Sequence, residues 1–105
     1  METKTTDKDR SSMMRSAWAL FRKLDVTFSE AMKMAWKSVK LRIRMRMGVV
    51  RFKFRKVDGT IRNALGTLME GYFEVNGSGK PNYSVQTYFD VEKGHFRSFQ
   101  INNLI

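Results

Sequence analysis

The spacing of apolar residues changes period at Gly48, and that change restricts the fold more than any other feature of the chain. Before it, Ala17, Trp18, Phe21 and Leu24, then Phe28, Met32, Ala35, Trp36, Val39 and Ile43, recur every three or four residues, the spacing that aligns one face of an α-helix. After it, VVRFKFRKV, GTIRNALGTL and YSVQTYFDV move toward an alternation of two, the repeat of a half-buried strand. The predicted class is α+β, with a helical hairpin preceding and packing on a small antiparallel β-barrel. A chain of 105 residues has room for one modest core, so helices and sheet must share it.

Within the helical part, Thr27 followed by Glu30 fits a capping box, in which a hydroxyl and a carboxylate each accept a backbone N–H, so a second helix is predicted to begin near Phe28. The short Asp25–Val26 link makes a hairpin, with Trp18 and Trp36 meeting each other or the sheet. The segment KLRIRMRM alternates basic and apolar residues. It reads as the last turns of this helix, to about Arg46 with Gly48 as C-cap, or as a strand aligning Lys40, Arg42, Arg44 and Arg46. Residues 1–12 are polar without periodicity and are expected to be a disordered lead. That leaves 13–47 as the hairpin and 48–105 as the barrel, one compact unit.

In the second half, Asp58–Gly59 predicts a two-residue hairpin turn that sets Arg55 opposite Arg62 and Phe52 opposite Leu65. Phe52, Phe54, Ile61 and Leu65 would then share one face, and Arg51, Lys53, Arg55 and Arg62 the other. A one-residue slip inverts that assignment. A short strand over GYFEVNG, a loop over NGSGKPN and two strands joined at Glu92–Lys93–Gly94 bring the count to about five. Closure of such a set into a barrel removes exposed edges.

Much chemistry is excluded. With no cysteine and a single histidine, thiolate sites, thiol nucleophiles and multi-histidine metal centres drop out, and no metal or cofactor is expected. No serine sits in a nucleophile elbow, Asp90 and Glu92 read as turn residues, and GSGK lacks the glycine spacing and following helix of a phosphate loop. A non-enzymatic protein is expected. The N-terminus lacks a signal-type apolar run, and no stretch approaches the roughly 18 apolar residues of a membrane span. The reading is a soluble cytoplasmic protein without a membrane partner.

The charge is the positive signal. The chain has 20 basic and 10 acidic residues, net +10. Between Glu30 and Asp58 there is no acid, yet Lys33, Lys37, Lys40, Arg42, Arg44, Arg46, Arg51, Lys53, Arg55 and Lys56 all fall there. A field of that density attracts polyanions and steers their approach, nucleic acid foremost.

The spans GVVRFKFRKVDGTIRNALGTL and YFDVEKGHFRSFQINNLI resemble the small WYL-related family of Sm-like, SH3-type β-barrel proteins, found in Bacteroidetes and their phages and mobile elements. AWALFRK and TFSEAMKMAWKSVKL look like the helical segment that precedes that barrel, so the resemblance covers roughly residues 14–105. Its most specific part is a Gly-ended turn entering a strand with an aromatic, an arginine and a second aromatic: Gly94, Phe96, Arg97 and Phe99, then Ile101. By that resemblance Arg97 takes a role in binding anionic ligands or nucleic acid. Strict alternation sets it on the side of His95 and Phe99, which become rim contacts.

The expected function is therefore phosphate-backbone binding of DNA or RNA by a phage or mobile-element protein in the host cytoplasm. The residues are Arg51, Lys53, Arg55, Arg62 and Arg97 with helix-borne Lys37, Lys40 and Arg44. Two alternatives stand beside it: an interaction module whose basic, Met-rich helix docks on an acidic protein, and a sensor of an anionic small ligand with a concave pocket beside Arg97. A homo-oligomer is compatible with each.

Overall fold

The computed structural model describes residues 6–69, 71 and 82–105. Helix α1 (Asp7–Lys23) and helix α2 (Phe28–Met47) form an antiparallel hairpin. Strands β1 (Val50–Arg55), β2 (Ile61–Thr67), β3 (Val85–Asp90) and β4 (His95–Gln100) follow in one antiparallel sheet of order β1-β2-β3-β4. A 3₁₀ turn (Ile101–Asn103) closes the chain. The α+β class is as the change of period implies. Four strands are present among the described residues, against about five expected, and the expected strand over GYFEVNG and most of the NGSGKPN loop lie outside them.

Helix α1 begins at Asp7, so residues 7–12 are helix rather than disordered lead. The reason is a capping box that needs no apolar stripe. The Thr6 hydroxyl accepts from the Asp9 N–H at 3.1 Å, and the Asp9 carboxylate accepts from the Thr6 N–H at 3.2 Å. What this first turn buries is that carboxylate, 1% exposed, and Arg46 Nη2 donates to it at 2.9 Å from the far end of α2. Helix α2 starts as predicted, with the Thr27 hydroxyl accepting from the Glu30 N–H at 3.1 Å, and runs helically through KLRIRMRM to Met47. Gly48 is its C-cap in extended backbone that any residue adopts.

Helix α2 is packed on two sides. Ala31, Ala35, Val39 and Ile43 meet Met13, Ala17 and Leu20 of α1, while Leu41 and Met45 join Val50, Phe52, Phe54, Ala64, Tyr88 and Phe99 of the sheet. Each of the larger side chains buried there, such as Leu20, Val39, Met45 or Phe54, contributes about 1.5–3 kcal/mol. Small residues at 31 and 35 let the two helices approach, and Trp36 packs partly buried against their core. Trp18 stays 47% exposed, its ring 4.5 Å from that of Phe28 and 5.9 Å from that of Phe21. The C-terminal carbonyls of α2 find partners in the sheet: Thr67 Oγ1 donates toward Met45 O and Gly48 O, and Leu68 N–H to Met45 O.

The β1–β2 register is one residue from the predicted one: Arg55 pairs Ile61, Phe54 pairs Arg62, Lys53 pairs Asn63, Phe52 pairs Ala64 and Arg51 pairs Leu65. The turn is longer than two residues, since Lys56 and Thr60 close it and Gly59 takes φ +92° while donating to Lys56 O. Asp58 holds that geometry by accepting from both the N–H and the hydroxyl of Thr60. The slip leaves β1 as expected, Phe52 and Phe54 inward and Arg51, Lys53 and Arg55 outward, but inverts β2. Arg62 turns in, and Ile61 turns out at 53% exposure. The β3–β4 connection has four residues, Val91–Gly94, rather than three, with Gly94 at φ +73°. After the 3₁₀ turn, Leu104 bridges to Phe54 and Ile105 N–H donates to Lys53 O at 3.0 Å, so the C-terminus returns to the free edge of β1.

Candidate nucleic-acid interface

Because α2 is buried against α1 on one side and the sheet on another, one strip of it remains open. Beyond its first turn that strip carries Lys33, Lys37, Lys40 and Arg44, at spacings of four, three and four, with partly buried Trp36 among them. The other cations of the segment turn away. Arg46 reaches Asp9, and Arg42 donates to Ser12 Oγ at 3.0 Å. A helix thus splits the row that a strand would have kept together, sending Arg42 and Arg46 to α1 and Lys40 and Arg44 to solvent.

The strip continues onto the sheet. Lys37, Lys40 and Arg44 line a groove of about 270 Å³ together with Arg51, Phe52 and the C-terminal Leu104 and Ile105. Lys37 Nζ donates to Leu104 O at 3.3 Å, fixing one side of it. From Arg51 the outward face of β1 carries Lys53 and Arg55. At about 1.5 Å per helical residue and 3.3 Å per strand residue, the helix arm is ~16 Å long and the strand arm ~13 Å. Among the described residues, no carboxylate lies within ion-pair distance of Lys33, Lys37, Lys40, Arg44, Arg51, Lys53 or Arg55; the ion pairs formed involve Arg10, Arg46, Arg62 and Arg97.

A second basic feature is a cleft of about 630 Å³ at one end of the sheet, floored by Phe54, Tyr88 and Phe99 and flanked by Arg55, Lys56, Arg62 and Arg97. Arg62 Nη2 donates to the fully buried Asp90 at 2.6 Å, and Arg97 Nε stands 3.8 Å from the same carboxylate. Burial pushes the Asp90 carboxyl up, but backbone donation from Lys93, the Arg62 side chain and backbone donation from Glu92 outweigh it and hold it below the usual carboxylate range. Burial likewise raises the Tyr88 phenol. Tyr88 OH, Arg62 Nε and Arg97 Nε are buried without a hydrogen-bond partner.

Of the residues singled out from sequence, Lys37, Lys40, Arg44, Arg51, Lys53 and Arg55 are exposed and fall on one belt. Arg62 does not join them, because the register slip pairs it with Asp90 inside. Arg97 lies on the inner face with Phe99, in the cleft rather than the belt. Phe99 is 4% exposed and stacked on Phe54 at 5.1 Å, so it is a core residue flooring the cleft and not a rim contact. His95 is exposed at the start of β4, its Nδ1 3.1 Å from Phe96 O. Sequence reasoning passed over Lys33 and Trp36, although the helical spacing of Lys33, Lys37, Lys40 and Arg44 was there to be read. Among the described residues no group of His, Asp or Glu side chains is placed to hold a metal, and no helix is long and apolar enough to cross a membrane.

A helical hairpin packs on one antiparallel sheet whose end strands, β1 and β4, do not pair with each other among the described residues, and the last residues fold back to the first strand, an α+β domain. The chain belongs to the WYL_2 family, of Sm-like SH3 β-barrel fold, which matches residues 38–105. It is also similar to an uncharacterized 11.5 kDa protein of the Gp31-cd intergenic region of Enterobacteria phage T4, 36% identical over 72 residues that span 62% of this chain and 71% of the relative. No solved structure matches it significantly.

Proposed function

We propose that this is a non-catalytic nucleic-acid-binding protein that holds phosphate backbone along the belt from Lys33 on α2 to Arg55 on β1. The observation that carries the reading is the gathering of Lys33, Lys37, Lys40, Arg44, Arg51, Lys53 and Arg55 into one path without a neighbouring carboxylate among the described residues. Cations gathered without carboxylate partners repel one another, and a phosphate chain relieves that repulsion while releasing its own counterions. Such contacts carry little sequence information, so base preference is weak. The likeness to a phage T4 protein supports a phage or mobile-element origin and action in the host cytoplasm. Fluorescence-anisotropy titration of labelled DNA and RNA over a series of salt concentrations tests it. Seven contacts at about 0.7 each give log K falling with a slope near −5 on single strands. Affinity indifferent to salt sinks the reading.

A second reading is favoured by the cleft: an anionic small ligand sensed beside Arg97. Its support is a set of buried polar atoms, Tyr88 OH, Arg62 Nε and Arg97 Nε, that make no close hydrogen bond, over an aromatic floor, although Arg97 Nε already faces Asp90 at 3.8 Å. Thermal stabilisation by nucleotides or other phosphorylated metabolites, lost in Arg97→Ala, is the outcome that supports it.

A further inference from the structure

Resting on the belt reading, we infer that the polyanion held there is single-stranded, because Trp36 is a base-stacking platform built into the cationic strip. Trp36 sits in an open hollow of about 610 Å³ whose other walls are Lys33, Lys37 and Lys40. These lie three residues before it, one after and four after, so three lysines line the hollow with one indole on the outer edge of α2. The indole is anchored from below, since it packs against the core formed by Ala31, Ala35 and Val39 with α1. A platform of this kind needs that anchoring: a ring already fixed loses little freedom when a base lies on it.

Cations alone do not distinguish a duplex from a strand. An aromatic face recessed among them does, because a paired base is stacked on its neighbours and unavailable, whereas an unpaired base offers its π-face while its flanking phosphates meet the lysines. The Lys33–Lys40 pair brackets Trp36 over about 10 Å of helix, enough to reach the phosphates on both sides of one stacked base. Exposed Trp18, by contrast, is already occupied by Phe21 and Phe28 and lacks such a set of lysines.

The test uses the full chain carrying Trp18→Phe, which leaves Trp36 as its single tryptophan. It is titrated with oligothymidine, oligouridine and a DNA duplex of equal length, reading tryptophan fluorescence and, separately, anisotropy of a label on the nucleic acid. Single strands are expected to quench Trp36 and to bind about tenfold or more tighter than the duplex, and Trp36→Leu to lose about tenfold on strands with little change on duplex. The quenching measurement keeps the native Trp36 and so stands even if Trp36→Leu folds poorly. Strand and duplex binding alike, with Trp36 unquenched, overturns the stacking platform while leaving the belt intact. Binding of neither overturns both.

Discussion

Replacement of Arg62 by alanine separates the observed register from the one the sequence implies. In the predicted pairing Arg62 lies outside, opposite Arg55, where truncation costs within about 0.5 kcal/mol, as for most surface changes. In the structure it is the close partner of Asp90, which has no exposed surface, with Nη2 to Oδ2 at 2.6 Å. Removing one member of a buried pair costs about 3–5 kcal/mol, because the survivor keeps its desolvation penalty. Asp90 retains the Glu92 and Lys93 N–H donors, and Arg97 stands 3.8 Å away, so the lower end applies, about 3 kcal/mol. At about 4 °C per kcal/mol for a domain of this size, Tm falls by roughly 12 °C. Differential scanning calorimetry of Arg62→Ala beside Arg55→Ala reads it directly. Equal, small shifts in the two variants would refute the inward placement of Arg62. Arg62→Met with Asp90→Asn should recover much of the loss, since an unpaired charge no longer remains buried.

Changing Lys33, Lys37, Lys40 and Arg44 together to glutamine should lower the single-strand salt slope by about 3 while leaving circular dichroism unchanged, because these side chains are exposed; an unchanged slope removes the helix arm from the interface. Gly66→Ala should destabilise by about 1–3 kcal/mol in urea melts, since an added Cβ would lie 2.7 Å from Tyr88 Cδ2 and 2.9 Å from Phe52 Cε1; a neutral effect would mean the rings move aside freely. Burial raises the Asp9 carboxyl, but Arg46 and Thr6 outweigh it and lower it from 3.8 to about 2. A depressed acid stabilises above its unfolded value, so its contribution of about 2 kcal/mol is present above pH 4 and lost as pH falls through about 2. Acid titration of the wild type against Asp9→Asn should show that step in the former alone, and its persistence in the variant would assign it elsewhere.

The helices were legible where an apolar period and a Thr cap coincide, as at Thr27 and Phe28. The start of α1 was not, because its inward group is Asp9, whose partner Arg46 lies 37 positions away, a pairing no local pattern reveals. The outward row of β1 was readable from the strict alternation of Arg51, Phe52, Lys53, Phe54 and Arg55. The facing of β2 was not, since its inward positions include Ala64 and Gly66, chosen small to admit Phe52 and Tyr88, and Asp58–Gly59 serves a three-residue turn as readily as a two-residue one. Of the six belt cations found from sequence, Arg51, Lys53 and Arg55 came from the alternation of β1 and Lys37, Lys40 and Arg44 from the acid-free run of charge. Arg62 was misassigned with them because its true partner, Asp90, is brought near only by the sheet.

The double packing of α2 has one more consequence. With two flanks committed to neighbours, its freely variable edge is the one that meets the outside, so the cations proposed to meet a polyanion also make up a large share of the molecule's net charge. Neutralising the four cations of that edge lowers the net charge from +10 to about +6, whereas reversing them lowers it to about +2 and removes most of the repulsion that keeps copies of the molecule apart. Neutral variants, rather than charge-reversed ones, are therefore the cleaner instrument for testing that edge.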